Sequence, residues 1–209
     1  MRGDEEESVM ADVKVAVIYY SATGGNYQLA RAAEEACREQ GVEVRLRRVK
    51  ELAPPEAIQA NPAWQAHHTA TQDIPEATLD DLEWANAYIF SVPTRFGNMA
   101  AQMKQFLDTA GPLWAQGKLA HKPVTVMSSA SNPHGGQEAT ILSFYTTMAH
   151  WGCILVPPGY TDPVVFQAGG NPYGTSVTLG QDGQVSPEAL QAAKHQASRL
   201  VEVARKLWA

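Results

Sequence analysis

The sequence predicts an α/β protein with a five-stranded parallel sheet and helices on both faces. Short apolar runs rich in β-branched residues alternate with longer segments whose apolar residues recur every three or four positions. Runs of this kind are typical of parallel strands that are buried on both faces. The predicted strands cover residues 13–18, 42–49, 87–92, 123–127 and 153–156.

The loop after the first strand is small, hydroxylic and rich in glycine. It runs from Ser21 to Asn26 and enters a helical pattern that ends at Gly41. Free N–H groups and the helix dipole at such a helix start favour an anion. The loop lacks the lysine of nucleoside triphosphatases and the G-x-G-x-x-G pattern of dinucleotide sites. The residues alone therefore predict either a site for a terminal phosphate monoester or a plain turn capped by Ser21 or Thr23.

Two further loops, at residues 93–98 and 128–136, follow the third and fourth predicted strands. Helical patterns follow both of them, and a last helix is predicted from Pro187 to about Leu207. Because right-handed crossovers place all strand-to-helix loops at one edge of the sheet, these two loops should meet the loop at 20–26. Three small-residue loops at the carboxyl ends of strands predict a binding site there.

Two long stretches, at about 50–80 and 157–183, are predicted to be irregular, apart from a short helix at 78–83. Within the first, the adjacent His67 and His68 favour a solvated loop over a metal site, because neighbouring side chains on an extended chain point apart. No metal is predicted. Trp114 follows the helix break at Gly111 and Pro112, so it is predicted to project from a connection.

Composition limits the classes of protein that the chain can belong to. The 209 residues predict one domain, residues 12–209, after a disordered acidic tail at residues 1–11. A net charge of −6 argues against a nucleic-acid surface. No signal peptide and no apolar run of roughly 18 residues is visible, which predicts a cytoplasmic protein without membrane insertion. Cys37 and Cys153 are predicted to be reduced core residues.

Several motifs together resemble the flavodoxin-like quinone reductases of the WrbA type. They are Tyr19–Ser21, Pro93–Met99, Gly111–Trp114, Gly135–Glu138 and Pro172–Thr175. The resemblance extends over residues 13–208. It implies a doubly wound flavodoxin-like sheet in the order 2-1-3-4-5, FMN as cofactor, NADH or NADPH as donor, a quinone as acceptor, and a homotetramer.

The resemblance also implies roles for individual residues. The phosphate would be held by Ser21, Ala22, Thr23, Gly24, Gly25 and Asn26. The pyrimidine side of the isoalloxazine would lie along Thr94, Arg95, Phe96, Gly97 and Asn98. The other side of the ring and the ribityl chain would lie along Ser129, Ala130, Ser131, Asn132, Pro133 and His134. An arginine at the pyrimidine side makes physical sense, because a cation stabilises the anionic reduced flavin.

Three more residues are placed by the same resemblance, each with an alternative. His150 would lie near the flavin, or it is a structural histidine at a helix end. Trp114 would form one wall of the substrate slot on a neighbouring subunit, or it is a buried core tryptophan. Thr23 would contact the substrate, although the family often has an aromatic residue there. Because of this difference and the unusual loop at 130–134, where Pro133 lacks a donor, the resemblance does not fix the choice between NADH and NADPH.

The predicted activity is a two-electron, ping-pong reduction of a quinone by a nicotinamide dinucleotide. Since the flavin N5 would carry the chemistry, no side chain is predicted to be catalytic. Two alternatives remain at this point. The first is a flavodoxin-type electron carrier, although its surface should be more acidic. The second is a non-enzymatic adaptor that binds a regulator, as an old name of the family, tryptophan repressor-binding protein, suggests.

Overall fold

The central strands of the sheet form where β-branched and aromatic residues run together. The computed structural model describes residues 12–180 and 182–208, so the predicted tail at 1–11 lies outside the described residues. The strands of this part are β1 Lys14–Tyr19, β2 Glu43–Arg48, β3 Ala87–Arg95, β4 Asn98–Met99, β5 Pro123–Ala130, β6 Ile154–Leu155 and β7 Ser176–Thr178.

The helices alternate with these strands along the chain. They are α1 Gly25–Glu39, α2 Pro55–Gln59, α3 Pro62–Ala70, α4 Leu79–Trp84, α5 Ala101–Asp108, α6 Gly111–Ala115, α7 Gln137–His150, α8 Pro163–Gln167 and α9 Pro187–Trp208. The short predicted helix at 78–83 is confirmed as α4, which begins with a reciprocal capping box between Thr78 and Asp81.

The sheet has a parallel centre and differs in detail from the prediction. Its hydrogen-bonded path is β2-β1-β3-β5-β6, while β4 pairs with β3 and β7 pairs with β5. The predicted count of five strands is wrong, because the two short strands β4 and β7 were missed. The five predicted strands themselves lie in the predicted order 2-1-3-4-5, since β5 and β6 are the fourth and fifth of them. One of the two missed strands, β4, is antiparallel to β3, so the sheet is not wholly parallel.

Both faces of the sheet are covered by helices, as predicted. Along β1, Val15 and Val17 pack with α1 and α9, whereas Ile18 packs on the other face with residues of α5 and α7. All three side chains are fully buried. The alternation of these contacts follows from the two-residue period of a strand.

The two long stretches are more ordered than predicted. The first contains α2 and α3, so His67 and His68 lie on a helix and not on an extended chain. The proline residues Pro55 and Pro62 open these helices, because the first helical position needs no N–H. The second stretch contains α8 and β7. Strands β6 and β7 lie beside opposite ends of β5, so the edge of the sheet is split in two.

Trp114 lies on the short helix α6 and not on a connection, which corrects the prediction. Its backbone N–H donates to the carbonyl of Ala110 at 3.0 Å. Among the described residues, no helix combines the length and apolar character needed to cross a lipid bilayer.

Candidate functional site

Three loops enclose a cavity of about 450 Å³ at the carboxyl ends of β1, β3 and β5. Its volume falls within the roughly 300–1,000 Å³ typical of small-molecule sites. The residues that line it are Ser21, Ala22, Thr23, Gly25, Asn26, Pro93, Thr94, Arg95, Phe96, Ser129, Ala130, Ser131, Asn132, Gly135 and Leu179. The predicted convergence of the three loops is thus found in the structure.

The start of α1 faces this cavity with free donors. Gly24, the residue before the helix, has a left-handed φ of 102°, and its N–H donates to Ser21 Oγ at 3.0 Å. The backbone N–H groups of Gly25, Asn26 and Tyr27 meet no acceptor among the described residues. The first turn of α1 carries no acidic residue. These donors and the uncompensated helix dipole make an anion site without a cation.

The Asn26 side chain has a structural role beneath the first loop. The amide is buried, and its Nδ2 donates to Ser91 Oγ at 3.0 Å while Ser129 Oγ donates to its Oδ1. Ser91 Oγ donates in turn to the Asn26 carbonyl at 2.9 Å. This network joins the start of α1 to β3 and β5, so only the backbone N–H of Asn26 is free for a ligand.

The second loop brings a charge and an exposed ring to the cavity. Phe96 has a left-handed φ of 53° and a fully exposed side chain. A left-handed residue other than glycine costs about 1–3 kcal/mol, and such residues cluster at binding sites. The neighbouring Arg95 is exposed, and its guanidinium donates to the Thr94 carbonyl at 3.0 Å. The short hairpin of β3 and β4 fixes this turn by pairing Arg95 with Asn98.

The third loop packs closely against the second. Gly136 has a left-handed φ of 95°, and a Cβ on it would lie 2.8 Å from the Cα of Gly97. Thr140 Oγ1 donates to Thr94 Oγ1 at 2.8 Å, and Gln137 Nε2 donates to the Asn132 carbonyl at 3.0 Å. These contacts fix the two loops relative to each other.

Several predicted site residues do not line the cavity. Gly24 and Gly97 shape the turns, and Asn98 Oδ1 accepts from the Met99 N–H at 2.8 Å. His134 is exposed and donates its N–H to Asn132 Oδ1 at 3.1 Å. Pro133 instead lines a separate cavity of about 600 Å³ beside the second long stretch.

His150 and Trp114 are brought together, but away from the cavity of their own chain. The indole N–H of Trp114 donates to the His150 carbonyl at 2.9 Å. His150 ends α7, about 20 Å from the helix start at the cavity, given 1.5 Å per residue. Trp114 is 57 % exposed, so the alternative of a buried core tryptophan is wrong for the single chain. Neither residue is among those that line the cavity of its own chain.

Three residues of the cavity were absent from the predicted site. Pro93 and Gly135 lie inside motifs that carried the resemblance, so the sequence offered a signal for both. Leu179 follows β7, and no pattern in the stretch at 157–183 pointed to it.

A half-buried acid, Glu51, is hydrogen-bonded to the residue that precedes the first loop. Glu51 accepts hydrogen bonds from the hydroxyl of Tyr20 at 3.0 Å, from the Gln102 amide at 2.7 Å and from the Trp64 indole at 3.2 Å. Burial raises its pKa, but the donors Ala53 N–H, Gln102, Tyr20 and Leu52 N–H outweigh burial and lower it. Burial, and then the charge of Glu51, raise the pKa of Tyr20. This cluster ties the residue before the first loop to α3 and α5.

Comparisons with known proteins give the family. Residues 13–162 match the family described as NADPH-dependent FMN reductase. The chain is 52 % identical over 198 residues to a protein of Deinococcus radiodurans named NAD(P)H dehydrogenase (quinone), covering 94 % of this chain and 98 % of the relative. A Brucella anthropi protein of the same name is 43 % identical, with coverage of 93 % and 98 %.

The chain belongs to the NADPH-dependent FMN reductase family. The predicted resemblance to WrbA-type oxidoreductases, the enzyme class, and the use of FMN and a nicotinamide dinucleotide are thereby confirmed. Among solved structures, a flavodoxin, WrbA-like protein from Agrobacterium tumefaciens is similar with a TM-score of 0.67 at 20 % identity, covering 93 % of this chain and 98 % of that one. An archaeal flavodoxin is similar with a TM-score of 0.59 at 18 % identity, with coverage of 92 % and 99 %. These two likenesses confirm the flavodoxin-like fold.

The cavity suits FMN on its own geometry. The free N–H groups at the start of α1 match a terminal phosphate, and glycine at 24 and 25 allows a close approach. The arrangement offers neutral donors throughout, apart from the guanidinium of Arg95 at the second loop.

Proposed function

We propose that this protein reduces quinones to hydroquinones with NADH or NADPH, using FMN held in the cavity of the three loops. The observation that carries the proposal is the start of α1, where three free backbone donors and no acid face a cavity lined by all three loops. The names of the relatives in Deinococcus radiodurans and Brucella anthropi, NAD(P)H dehydrogenase (quinone), support the same activity.

The chain's own residues bind and orient the ligand at three places. The N–H groups of Gly25, Asn26 and Tyr27 would hold the phosphate, and the exposed Thr23 hydroxyl would be a further donor. Thr94 to Phe96 would lie along the pyrimidine side, where Arg95 would stabilise negative charge. Residues 129–132 would lie along the other side. Bound FMN supplies hydride transfer, and the protein supplies position and field.

We further propose that the donor and the quinone bind in turn to one slot, which is the ping-pong order. The exposed ring of Phe96 and the guanidinium of Arg95 lie together at the rim of the cavity. An apolar ring beside a cation suits the flat rings of both nicotinamide and quinone. No proton-transferring side chain is required in this scheme.

The slot would be completed by Trp114 and His150 of a neighbouring subunit in a homotetramer. The half-exposed indole of Trp114 is fixed by its hydrogen bond to the His150 carbonyl, so the ring is held ready for a contact outside its own chain. An exposed tryptophan with a satisfied N–H is typical of interfaces.

The first experiment is an absorption spectrum of the purified protein, a titration with FMN and riboflavin, and an assay of NADH oxidation with benzoquinone. We expect a yellow protein, tight binding of FMN, weak binding of riboflavin and catalytic turnover. Tight flavin binding without turnover would instead support the electron carrier. A preparation that binds no flavin would overturn the proposal and favour the adaptor.

The second experiment tests the neighbouring subunit with Trp114→Ala. We expect FMN affinity to stay close to that of the wild type, while the KM and kcat for quinone change and dilution lowers specific activity. Trp208→Ala is the matched control, because Trp208 is also exposed, at the end of α9. A monomer with full turnover would show that the slot is built within one chain.

A further inference from the structure

We propose that Leu179 forms a fourth wall of the cavity and that Gln28 holds this wall in place. Together they determine how strongly the flavin phosphate is bound. The wall is the segment after β7, residues 179–180 and 182–185, and we call it the closing segment. The inference rests on the proposed binding of FMN and deepens it, since it assigns positioning residues for the phosphate end of that ligand.

Leu179 lies directly over the start of α1. A Cβ on Gly25 would come within 2.5 Å of Leu179 Cδ1 and 2.7 Å of Cδ2. The Leu179 side chain therefore fills the space that a side chain at position 25 would need. Because the free N–H of Gly25 is one of the phosphate donors, the position of Leu179 determines the surroundings of that donor.

Hydrogen bonds with β5 and α7 hold the beginning of the closing segment against the sheet. The N–H of Leu179 donates to the Ala130 carbonyl at 2.8 Å, which continues the pairing of β7 with β5. Gln137 Nε2 reaches the Val177 carbonyl and Thr178 Oγ1, both at 3.4 Å. These contacts fix the beginning of the segment and leave its far end to be held by another element.

Gln28 holds that far end. Its Nε2 donates to the Gly183 carbonyl at 3.0 Å, and its Oε1 accepts from the Val185 N–H at 3.2 Å. Since one partner is an acceptor and the other a donor, only one orientation of the amide satisfies both. The same Nε2 lies 3.4 Å from the Gly24 carbonyl, so one side chain joins the phosphate loop to the closing segment.

The wall should therefore affect the binding of the flavin phosphate and not that of the isoalloxazine ring. Leu179 shields the helix-start donors from water, which strengthens their hydrogen bonds to an anion. Riboflavin lacks the phosphate and gains nothing from these donors. Gln28 and Leu179 should therefore change the preference for FMN over riboflavin, whereas a merely structural role would change both affinities together.

The experiment measures Kd for FMN and riboflavin by quenching of flavin fluorescence, and the rate of FMN release. Gln28→Met keeps the length and removes the amide, and Gln191→Ala, on the exposed face of α9, is the control. We expect Gln28→Met to raise the Kd of FMN about 3- to 10-fold, because the two lost hydrogen bonds hold the closing segment and only part of their free energy reaches the phosphate site, and to leave that of riboflavin unchanged. Equal changes for both flavins, or no change, would overturn the proposal.

A double-mutant cycle at Gly25 and Leu179 gives an independent test. Gly25→Ala should weaken FMN about tenfold, because its Cβ displaces Leu179. Leu179→Ala alone should also weaken FMN, because it exposes the donors to water. Since it vacates the space that the new Cβ needs, the double variant should bind FMN about as tightly as Leu179→Ala alone, so the two losses should not add. A double variant as weak as the two single losses combined would overturn the proposal. If the wild type itself bound no FMN, the proposed function would fail; if it bound FMN and all variants matched it, only this inference would fail.

Discussion

Helices α1 and α7 begin in the same way but serve different purposes. Each follows a left-handed glycine, Gly24 or Gly136, and neither receives a capping hydrogen bond from a side chain of the described residues. The start of α1 opens into the cavity and carries no acid, whereas the first turn of α7 carries Glu138 and its glycine packs on Gly97. One helix start thus keeps its positive end available for an anion, and the other uses it to join two loops. A glycine before a helix does not by itself indicate a ligand; the surroundings decide.

The two helix starts should differ most in how much a side chain added at the glycine lowers the free energy of unfolding. Gly136→Ala combines a left-handed φ with overlap on the Gly97 backbone, and should lower the free energy of unfolding by about 2–5 kcal/mol. In Gly24→Ala, the new Cβ would meet the His67 ring at 3.5 Å, an ordinary contact distance with the described residues. Only the left-handed φ then opposes the side chain, so a loss of about 1–2 kcal/mol in the free energy of unfolding is expected. Denaturant unfolding of both flavin-free variants checks this. Equal losses would show that packing against Gly97 does not distinguish them.

The amides beside the two glycines provide the next comparison. Asn26→Ala removes the buried partner of two serine hydroxyls and should cost about 1–3 kcal/mol. Gln137→Ala removes one bond at 3.0 Å and two at 3.4 Å, and should cost about 1 kcal/mol. Thermal and denaturant unfolding measure both. A larger loss at Gln137 would contradict the tighter anchoring of α1.

A carboxylate at each helix start tests the electrostatic difference. Thr23→Asp should supply the missing anion, raise the stability of the flavin-free protein by about 0.3–1 kcal/mol, and weaken FMN severalfold. Glu138→Gln should remove the corresponding charge from α7, cost about 0.3–1 kcal/mol, and leave FMN affinity unchanged. Both are measured by unfolding and flavin titration. Weaker FMN binding in Glu138→Gln would show that the second helix also contacts the ligand.

The smallest expected effect is on the pH dependence of the free energy of unfolding. It arises at the start of α1, where the ring of a histidine packs. Burial, and then the charge of His68, lower the pKa of His67, whose ring lies against Gly24. Because the pKa of His67 is lower in the folded chain than in the unfolded chain, the unfolded chain takes up its proton first as the pH falls, so stability falls as the pH drops below about 6.5. His67→Gln should flatten this part of the unfolding free energy against pH. A curve for His67→Gln that is as steep as that of the wild type would assign the effect to another group.

Sequence patterns predicted the parts of the fold that depend on long periodic segments. The central strands and α1, α7 and α9 were found because burial on a sheet imposes a regular spacing of apolar residues. Helices α2 and α3 were missed because Pro55 and Pro62 read as chain breaks, although each opens a helix. Strands β4 and β7 have two and three residues, too few for any period to show.

The candidate site was predictable where the motifs are local. The three loops at 20–26, 93–98 and 128–136 follow strands directly, so topology alone brings them together. The contact of Leu179 with Gly25 joins positions far apart in the sequence, and depends on a short strand that no pattern revealed. The role of the Asn26 side chain could not be predicted either, because its partners Ser91 and Ser129 lie on two other strands.

The split edge of the sheet also bears on aggregation. An exposed strand edge offers unpaired N–H and C=O groups to any other chain, and long flat edges seed such association. Here the outer side of β5 is covered by β6 and β7, which have only two and three residues, so neither offers a long template. At the opposite edge, β2 carries Arg45, Arg47 and Arg48, whose side chains are held in ion pairs with Asp81 and Glu76. Both edges should therefore resist strand-by-strand addition at high protein concentration.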